Sequence, residues 1–428
     1  MASRSMRWTA RAGVVALAVG VAAPAAWAAN SWSPAPNADK TTGVASANYS
    51  WNYGSSFAKV GTDKVALAYT TDKDWTPQVP AQSTYVRIGT VDPTTKVVTW
   101  GAPKKTSQAS KLADRTSLAS GNGNVYSVFV TQEDYVVVPA KPRVAYVRSQ
   151  VGGIWGAPVR LTPASGRVDY PIISASGDNV YVAYTNSNNG AVTVRRSTNA
   201  GATFPGSINL GTTTRDDGEG LAAWPIACAS GTNSAVAWLK GNGTIKLSVS
   251  EDSGTSYTTK TINSVNAGGN EEGWASCDAT GSRIGVTWNE NDGVYYSEYS
   301  TATDSFTTAR KNIFPFAASG YLGSYSGTVA LSGAGTVGVA APLCVQDGCD
   351  YTANGTRIDL KWLESSNNGT TFAAAEAISN ASAALSGGKT LNDSPTALFW
   401  DATTRFVLYN GWTANYGNYR LYLSTGTG

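Results

Sequence analysis

Seven times along this chain a turn of small residues leads into an apolar run of about six residues, at a spacing of roughly 50–60 residues. The turns are Val60-Gly61-Thr62-Asp63, Ser120-Gly121-Asn122-Gly123, Ser176-Gly177-Asp178, Ser230-Gly231-Thr232, Thr280-Gly281-Ser282, Ser332-Gly333-Ala334-Gly335 and Asp401-Ala402-Thr403. The runs that follow, 64–69, 124–129, 179–184, 233–238, 283–288, 336–341 and 405–409, have the composition of buried strands. Each unit has room for an inner strand, a tight turn, a second strand, a loop, a third strand, a hairpin and an outer strand. A four-stranded unit of this kind cannot bury its faces alone. About seven of them in succession predict an all-β chain folded as one β-propeller of about seven four-stranded blades. No long stretch has helical periodicity, and 45 glycines suit many short strands joined by tight turns.

A second repeat sits between the third and outer strands. Ser197-Thr198-Asn199-Ala200-Gly201-Ala202-Thr203-Phe204, Ser250-Glu251-Asp252-Ser253-Gly254-Thr255-Ser256-Tyr257 and Ser365-Ser366-Asn367-Asn368-Gly369-Thr370-Thr371-Phe372 share the frame S-x-[DN]-x-G-x-[TS]-[FY]. Ser with Asn or Asp can bond its own backbone, Gly supplies a positive φ, and the terminal aromatic can tuck beneath the turn. These octapeptides resemble the Asp box, or BNR repeat, of sialidase-like β-propellers. The resemblance implies structural hairpins on the rim, away from the ligand face.

Trp100-Gly101-Ala102-Pro103 and Trp155-Gly156-Ala157-Pro158 each end a repeat. Trp32-Ser33-Pro34-Ala35-Pro36 has the same look, whereas the chain stops after what reads as a third strand, 421–428. The segment near 32–42 is therefore expected to supply the outer strand of the last blade, which closes the ring and removes exposed edges.

Arg4, Arg7 and Arg11, an apolar stretch from Gly13 to Ala25, and Ala26-Trp27-Ala28 read as a cleaved signal peptide, 1–28. A single propeller domain, 29–428, is then expected to be secreted, with no insertion into a membrane. Four cysteines fit an oxidising compartment. Cys344 and Cys349 are expected to close a hairpin loop; Cys228 and Cys277, at matching places in adjacent repeats, could be bridged or could be two buried thiols. The chain has no histidine, which excludes histidine bases, triads and metal ligands. Formal net charge is +3 without a basic stripe, so no nucleic-acid partner is expected. No cofactor and no metal are expected: 186–190 and 289–293 are oxygen-rich but read as hairpin turns. The protein is expected to be a monomer.

In this fold, ligands usually lie over the central channel, by analogy on the face where the chain enters each inner strand. The leading segments are Asp114-Arg115, Arg167-Val168-Asp169-Tyr170, Arg215-Asp216-Asp217-Gly218-Glu219, Asn270-Glu271-Glu272-Gly273-Trp274, Tyr321 to Tyr325, Asn392-Asp393 and Tyr49-Ser50-Trp51. The loops between second and third strands add Trp75, Glu133-Asp134-Tyr135, the 344–349 loop and Trp412. Aromatic faces stack on sugar rings, and Arg or carboxylate groups bond hydroxyls and acidic groups, so the expected ligand is a carbohydrate or a cell-surface partner. Candidate binding residues are Arg115, Arg167, Arg215, Tyr170, Trp274, Tyr321, Tyr325, Trp51, Trp75 and Trp412.

The family resemblance also implies a glycosidase reading. An arginine clamp would come from Arg115, Arg167 and Arg215, the acid from Asp114, Asp169 or Asp217, and the partner of a nucleophilic Tyr from Glu219, Glu271 or Glu272. The Arg-Ile-Pro motif that opens the first blade of sialidases is missing. Arg87-Ile88-Gly89, the nearest string, reads as part of a third strand, and sialidases usually have six blades. These departures weight the expectation toward binding, with an exo-sialidase-type hydrolase as the alternative.

Overall fold

The computed structural model describes residues 31–32, 50–51, 55–71, 82–108, 112–132, 143–163, 166–215, 221–241, 243–262, 275–324, 327–345, 357–378, 392–412 and 419–428. The expected leader 1–28 and Cys349 lie outside them. Among the described residues the only helical turn is Phe316–Ala318. The strands form seven antiparallel sheets: blade 1 (50–105), blade 2 (112–160), blade 3 (168–212), blade 4 (226–262), blade 5 (276–315), blade 6 (323–377) and blade 7 (392–427, with 31–32). In each blade the chain starts innermost and steps outward. The inner strands are Phe57–Val60, Leu112–Gly121, Val168–Ser176, Ile226–Ser230, Ser276–Thr280, Thr328–Leu331 and Asn392–Phe399. Each packs on the inner strand of the next blade, and the last packs on the first, so the ring is closed.

The second strands explain the sequence repeat. They are covered on both faces by neighbouring blades, so their residues need not alternate: Val65, Ala66, Leu67 and Ala68 are all fully buried. A buried Val or Leu contributes roughly 1.5–3 kcal/mol relative to exposure. The aromatics that close four of these runs stack on third-strand partners. Tyr69 lies on Tyr85 at 5.8 Å, Phe129 on Tyr146 at 6.0 Å, Trp288 on Tyr295 at 5.8 Å and Tyr409 on Tyr422 at 5.7 Å.

Blade 7 is completed by the other end of the chain. Ser31 pairs with Thr427 and Trp32 with Gly426. The Trp32 indole N–H donates to the Glu376 carboxylate at 3.2 Å, and its ring meets the edge of Trp362 at 5.6 Å. Gly426 is required beneath it, because a Cβ there would lie 2.9 Å from the Trp32 ring.

The octapeptides are self-contained hairpins between third and outer strands, on the face opposite the segments that lead into the inner strands. The hydroxyls of Ser197, Ser250 and Ser365 accept the Gly201, Gly254 and Gly369 N–H at 2.9, 2.8 and 3.0 Å. Asn199, Asp252 and Asn367 accept the N–H of Thr203, Ser256 and Thr371 at 3.0, 2.9 and 2.9 Å. Asn serves as well as Asp here because its Nδ2 donates to Thr203 or Thr371 Oγ1, both at 2.9 Å. Each hairpin glycine also backs onto a tyrosine of the preceding blade: Tyr126, Tyr181 and Tyr296.

Arg87 takes part in a similar structural repeat. Its Nε donates to Gly101 O at 3.0 Å, as Arg148 does to Gly156 O and Arg195 to Gly206 O, both at 2.9 Å. The glycine of each Trp-Gly-Ala-Pro string is thus the receptor for an arginine of its own blade. Cys228 and Cys277 are bridged, with Cα atoms 5.8 Å apart, and tie the inner strands of blades 4 and 5. Cys344 is also disulfide-bonded.

Candidate functional site

The inner strands of blades 2, 3 and 4 open on one side of the channel with the triplets Arg115-Thr116-Ser117, Tyr170-Pro171-Ile172 and Trp224-Pro225-Ile226. The first residue of each is in the left-handed region, with φ of +51°, +46° and +41°. In blades 2 and 3 a register break between the first and second strands falls at this point, Asp114/Ser117 and Asp169/Ile172. A bulge of this kind re-aims the side chain that would otherwise lie between blades.

The re-aimed side chains meet one another in blade order. The Arg115 guanidinium lies 4.2 Å from the Tyr170 ring centroid. Tyr170 meets Trp224 edge to face, with centroids 5.9 Å apart and planes at 84°. The Arg215 guanidinium covers Trp224 at 3.6 Å. The result is a wall of two rings flanked by two cations across three blades, each cation–π contact worth roughly 0.5–2 kcal/mol. Below it is a shallow cleft, partly open to solvent, lined by Arg115, Tyr170 and Trp224 and by Thr116, Pro171, Ile172, Pro225 and Ile226.

Asp169 anchors this wall from behind. It is buried and ion-paired with Arg115. Arg143 Nη1, from the start of the third strand of blade 2, reaches the same carboxylate at 2.5 Å, and the Ser187 hydroxyl donates to its other oxygen. Arg167 joins the arrangement through its backbone: it bridges Arg143, and its carbonyl accepts the Ser187 N–H at 2.9 Å. With two guanidiniums and a hydroxyl on its oxygens, Asp169 orders its neighbours and is poorly placed to protonate a leaving group. Asp114 precedes Arg115 on the same strand and is half-buried.

Tyr321 is elsewhere. Its hydroxyl donates to Asp359 Oδ2 at 2.6 Å, and Arg357 holds both oxygens of that carboxylate, at 2.8 and 2.5 Å. Burial first, then the hydrogen bond and charge of Asp359, push the Tyr321 hydroxyl up to about 12. Burial also pushes Asp359 upward, but the Arg357 and Tyr321 hydrogen bonds outweigh it and leave the carboxyl below its ordinary value. The Tyr321 ring packs on Phe314, in the outer strand of blade 5, so this cluster is not among the inner strands that carry the arginine wall.

Of the sequence candidates, the structure therefore brings Arg115, Asp169, Tyr170 and Arg215 together and sets Tyr321 apart. Trp51 pairs with Thr70 at one end of blade 1, and Trp412 ends the second strand of blade 7. Asp217, Glu219, Glu271, Glu272, Trp274, Tyr325 and Trp75 lie outside the described residues. The left-handed position that opens the inner strand is held in blade 4 by Trp224, nine residues beyond Arg215, and in blade 1 by Ser55. The signal for Trp224 was present as an aromatic-Pro-Ile triplet shared with Tyr170-Pro171-Ile172. Arg143 and Ser187 had no such signal, because they arrive from other strands. Among the described residues no group of acidic or sulfur ligands could hold a metal ion.

No family model and no curated protein matches the sequence. Among solved structures, the chain is similar to a protein of unknown function from Dyadobacter fermentans, with 12% identity over 89% of this chain and 97% of the other and a TM-score of 0.48. It is similar to the NanB sialidase of Streptococcus pneumoniae in its K499G mutant, with 11% identity over 88% and 68% and a TM-score of 0.44. It is also similar to the Trypanosoma rangeli sialidase in complex with the inhibitor DANA, with 12% identity and a TM-score of 0.43; the match covers 88% of this chain and 55% of that one. At such identities no residue role passes from those proteins to this chain.

Proposed function

We propose that this protein is a secreted propeller that binds an anionic carbohydrate, free or on a cell surface, over the channel mouth, and that it holds its ligand without cleaving it. The observation that carries this reading is the Arg115–Tyr170–Trp224–Arg215 wall, which concentrates guanidinium and aromatic groups on one side of the mouth. Guanidiniums select carboxylate or sulfate groups through paired hydrogen bonds, and rings held between them give flat apolar surface at little entropic cost. Secretion accords with the leader-like segment 1–28 and with the disulfide chemistry of Cys228, Cys277 and Cys344. Binding is preferred to hydrolysis because Asp169 is engaged by Arg115 and Arg143, and because the tyrosine–carboxylate pair Tyr321–Asp359 belongs to a different part of the ring.

Affinity electrophoresis through polygalacturonate, chondroitin sulfate and neutral dextran tests the reading, alongside fluorogenic glycosides that include a sialoside. Wild-type protein should be retarded by the acidic polymers, less so as salt rises, and Trp224→Ala or Arg215→Ala should abolish the retardation. Equal mobility in every gel would remove the binding reading. Glycoside turnover lost in Glu271→Gln would establish the hydrolase instead.

A further inference from the structure

The left-handed residue that opens the inner strand is not confined to the three blades of the wall. Ser55 in blade 1 and Ser394 in blade 7 have φ of +46° and +47°. All five residues stand two places before the same landmark, the point where the inner strand begins unbroken pairing with the second: Phe57 with Leu67, Ser117 with Val128, Ile172 with Ala183, Ile226 with Ala237 and Thr396 with Leu408. The matching residues of blades 5 and 6 fall outside the described ones. An L-residue in this conformation costs of order 1 kcal/mol, and glycine would adopt it freely. The chain has 45 glycines and uses none of them at these five positions. What is retained at that cost is a side chain, and backbone strain of this kind gathers at ligand clamps.

Shared register and shared φ give the five Cα–Cβ bonds matching directions around the ring axis. Arg115, Tyr170 and Trp224 line the cleft. By the same geometry the Ser55 and Ser394 side chains face the mouth, and both residues are half-buried. Blades 7, 1, 2, 3 and 4 are consecutive in the ring, so blade 7 lies three steps from blades 3 and 4, while blade 1 adjoins blade 2. The five positions therefore form one arc of the mouth: two hydroxymethyl groups in blades 7 and 1, then long cationic or aromatic groups in blades 2 to 4.

We propose that this left-handed position is the one through which the propeller selects its ligand, with Arg115, Tyr170 and Trp224 as the contact wall and Ser55 and Ser394 as the recess that admits the ligand's bulk. The inference rests on the channel-mouth reading above. It adds that two serines at the end of the arc beyond Arg115 determine what fits, and that the recess they leave is open to solvent beside a positive wall.

Both parts can be tested. Among the described residues no cysteine is free, so Ser55→Cys and Ser394→Cys provide single reactive thiols. Each should be modified several-fold faster by an anionic methanethiosulfonate (the ethylsulfonate) than by a cationic one (the ethyltrimethylammonium), and the ratio should fall toward one at high salt. Thiols that resist both reagents in the folded protein, or that show no charge preference at low salt, would overturn the proposal without any ligand in hand. The second arm uses polygalacturonate. Ser394→Trp should weaken retention at least tenfold with an unchanged melting temperature, since Trp224 already holds an indole at this φ, whereas Ser394→Gly should bind as wild type and melt higher. Retention unaltered by Ser394→Trp would overturn the proposal. Wild-type protein that is not retained would overturn the channel-mouth reading instead, and the thiol rates would still decide whether the recess exists.

Discussion

Asp278 illustrates how one residue can give a large ring a pH dependence. It lies on the inner strand of blade 5, and its carboxylate accepts the Leu331 N–H of blade 6 at 2.7 Å and the Ala279 N–H at 2.8 Å. Burial pushes it up to about 6, against the lowering effect of those two N–H groups and of Arg283. The native state therefore holds the proton more tightly than the unfolded chain, whose carboxyl titrates near 3.8. Stability should fall as pH rises from about 4 to about 6 and then level off, a loss on the order of 2–3 kcal/mol. Urea titrations across that range should show this slope for wild type and a flat profile for Asp278→Asn. The hairpin glycines make a second residue-scale case. At Gly254, φ is +82° and an added Cβ would lie 2.5 Å from Tyr181 Cε1, whereas at Gly281, φ is +58° and the space is open. Gly281→Ala should cost roughly 1 kcal/mol of strain alone, and Gly254→Ala distinctly more, up to about 3 kcal/mol, by chemical denaturation.

At the scale of elements, the strands were legible because a strand covered on both sides must be apolar throughout, and 64–69 or 179–184 can be read as nothing else at that length and spacing. The octapeptide hairpins were legible for a different reason: each satisfies its own backbone, so the pattern is local. The candidate site was legible where its residues sit on or just ahead of the strand openings, as Arg115, Tyr170 and Arg215 do. Trp224 was obscured because the acidic stretch 215–219 looked like the more functional opening of blade 4. Arg143 and Ser187 converge on Asp169 from separate strands, and no spacing within the chain encodes that meeting. The Cys228–Cys277 bridge likewise depends on two inner strands being neighbours. Replacing both cysteines by serine should cost about 2–4 kcal/mol in denaturant titrations, with the loss centred on the seam between blades 4 and 5 in hydrogen exchange.

At the scale of the whole molecule, two kinds of arginine contact divide the ring. Blades 1 to 3 use arginines that donate to glycine carbonyls of the outer strand, Gly101, Gly156 and Gly206. Blades 5 to 7 use carboxylate pairs: Arg283 with Glu298 at 2.7 Å, and Arg405 of blade 7 with Glu364 of blade 6. Removing one partner of a buried pair strands the other charge, so Arg405→Ala should cost about 3–5 kcal/mol, while Arg148→Ala, at an exposed bond, should cost about 1 kcal/mol. The closure at Trp32 joins the two ends of the ring. Trp32→Ala should lower stability by about 2 kcal/mol or more and raise the tendency to associate, read by thermal melting and by light scattering.

That closure also sets an order in time. Ser31 and Trp32 form the first of the described strands to be synthesised, and Gly426 and Thr427 belong to the last. Whatever the six other blades achieve as they emerge, the ring stays open until residues 426–427 are delivered. The earliest strand must wait unpaired until the latest arrives, so closure of this ring is an event that follows synthesis of all seven blades.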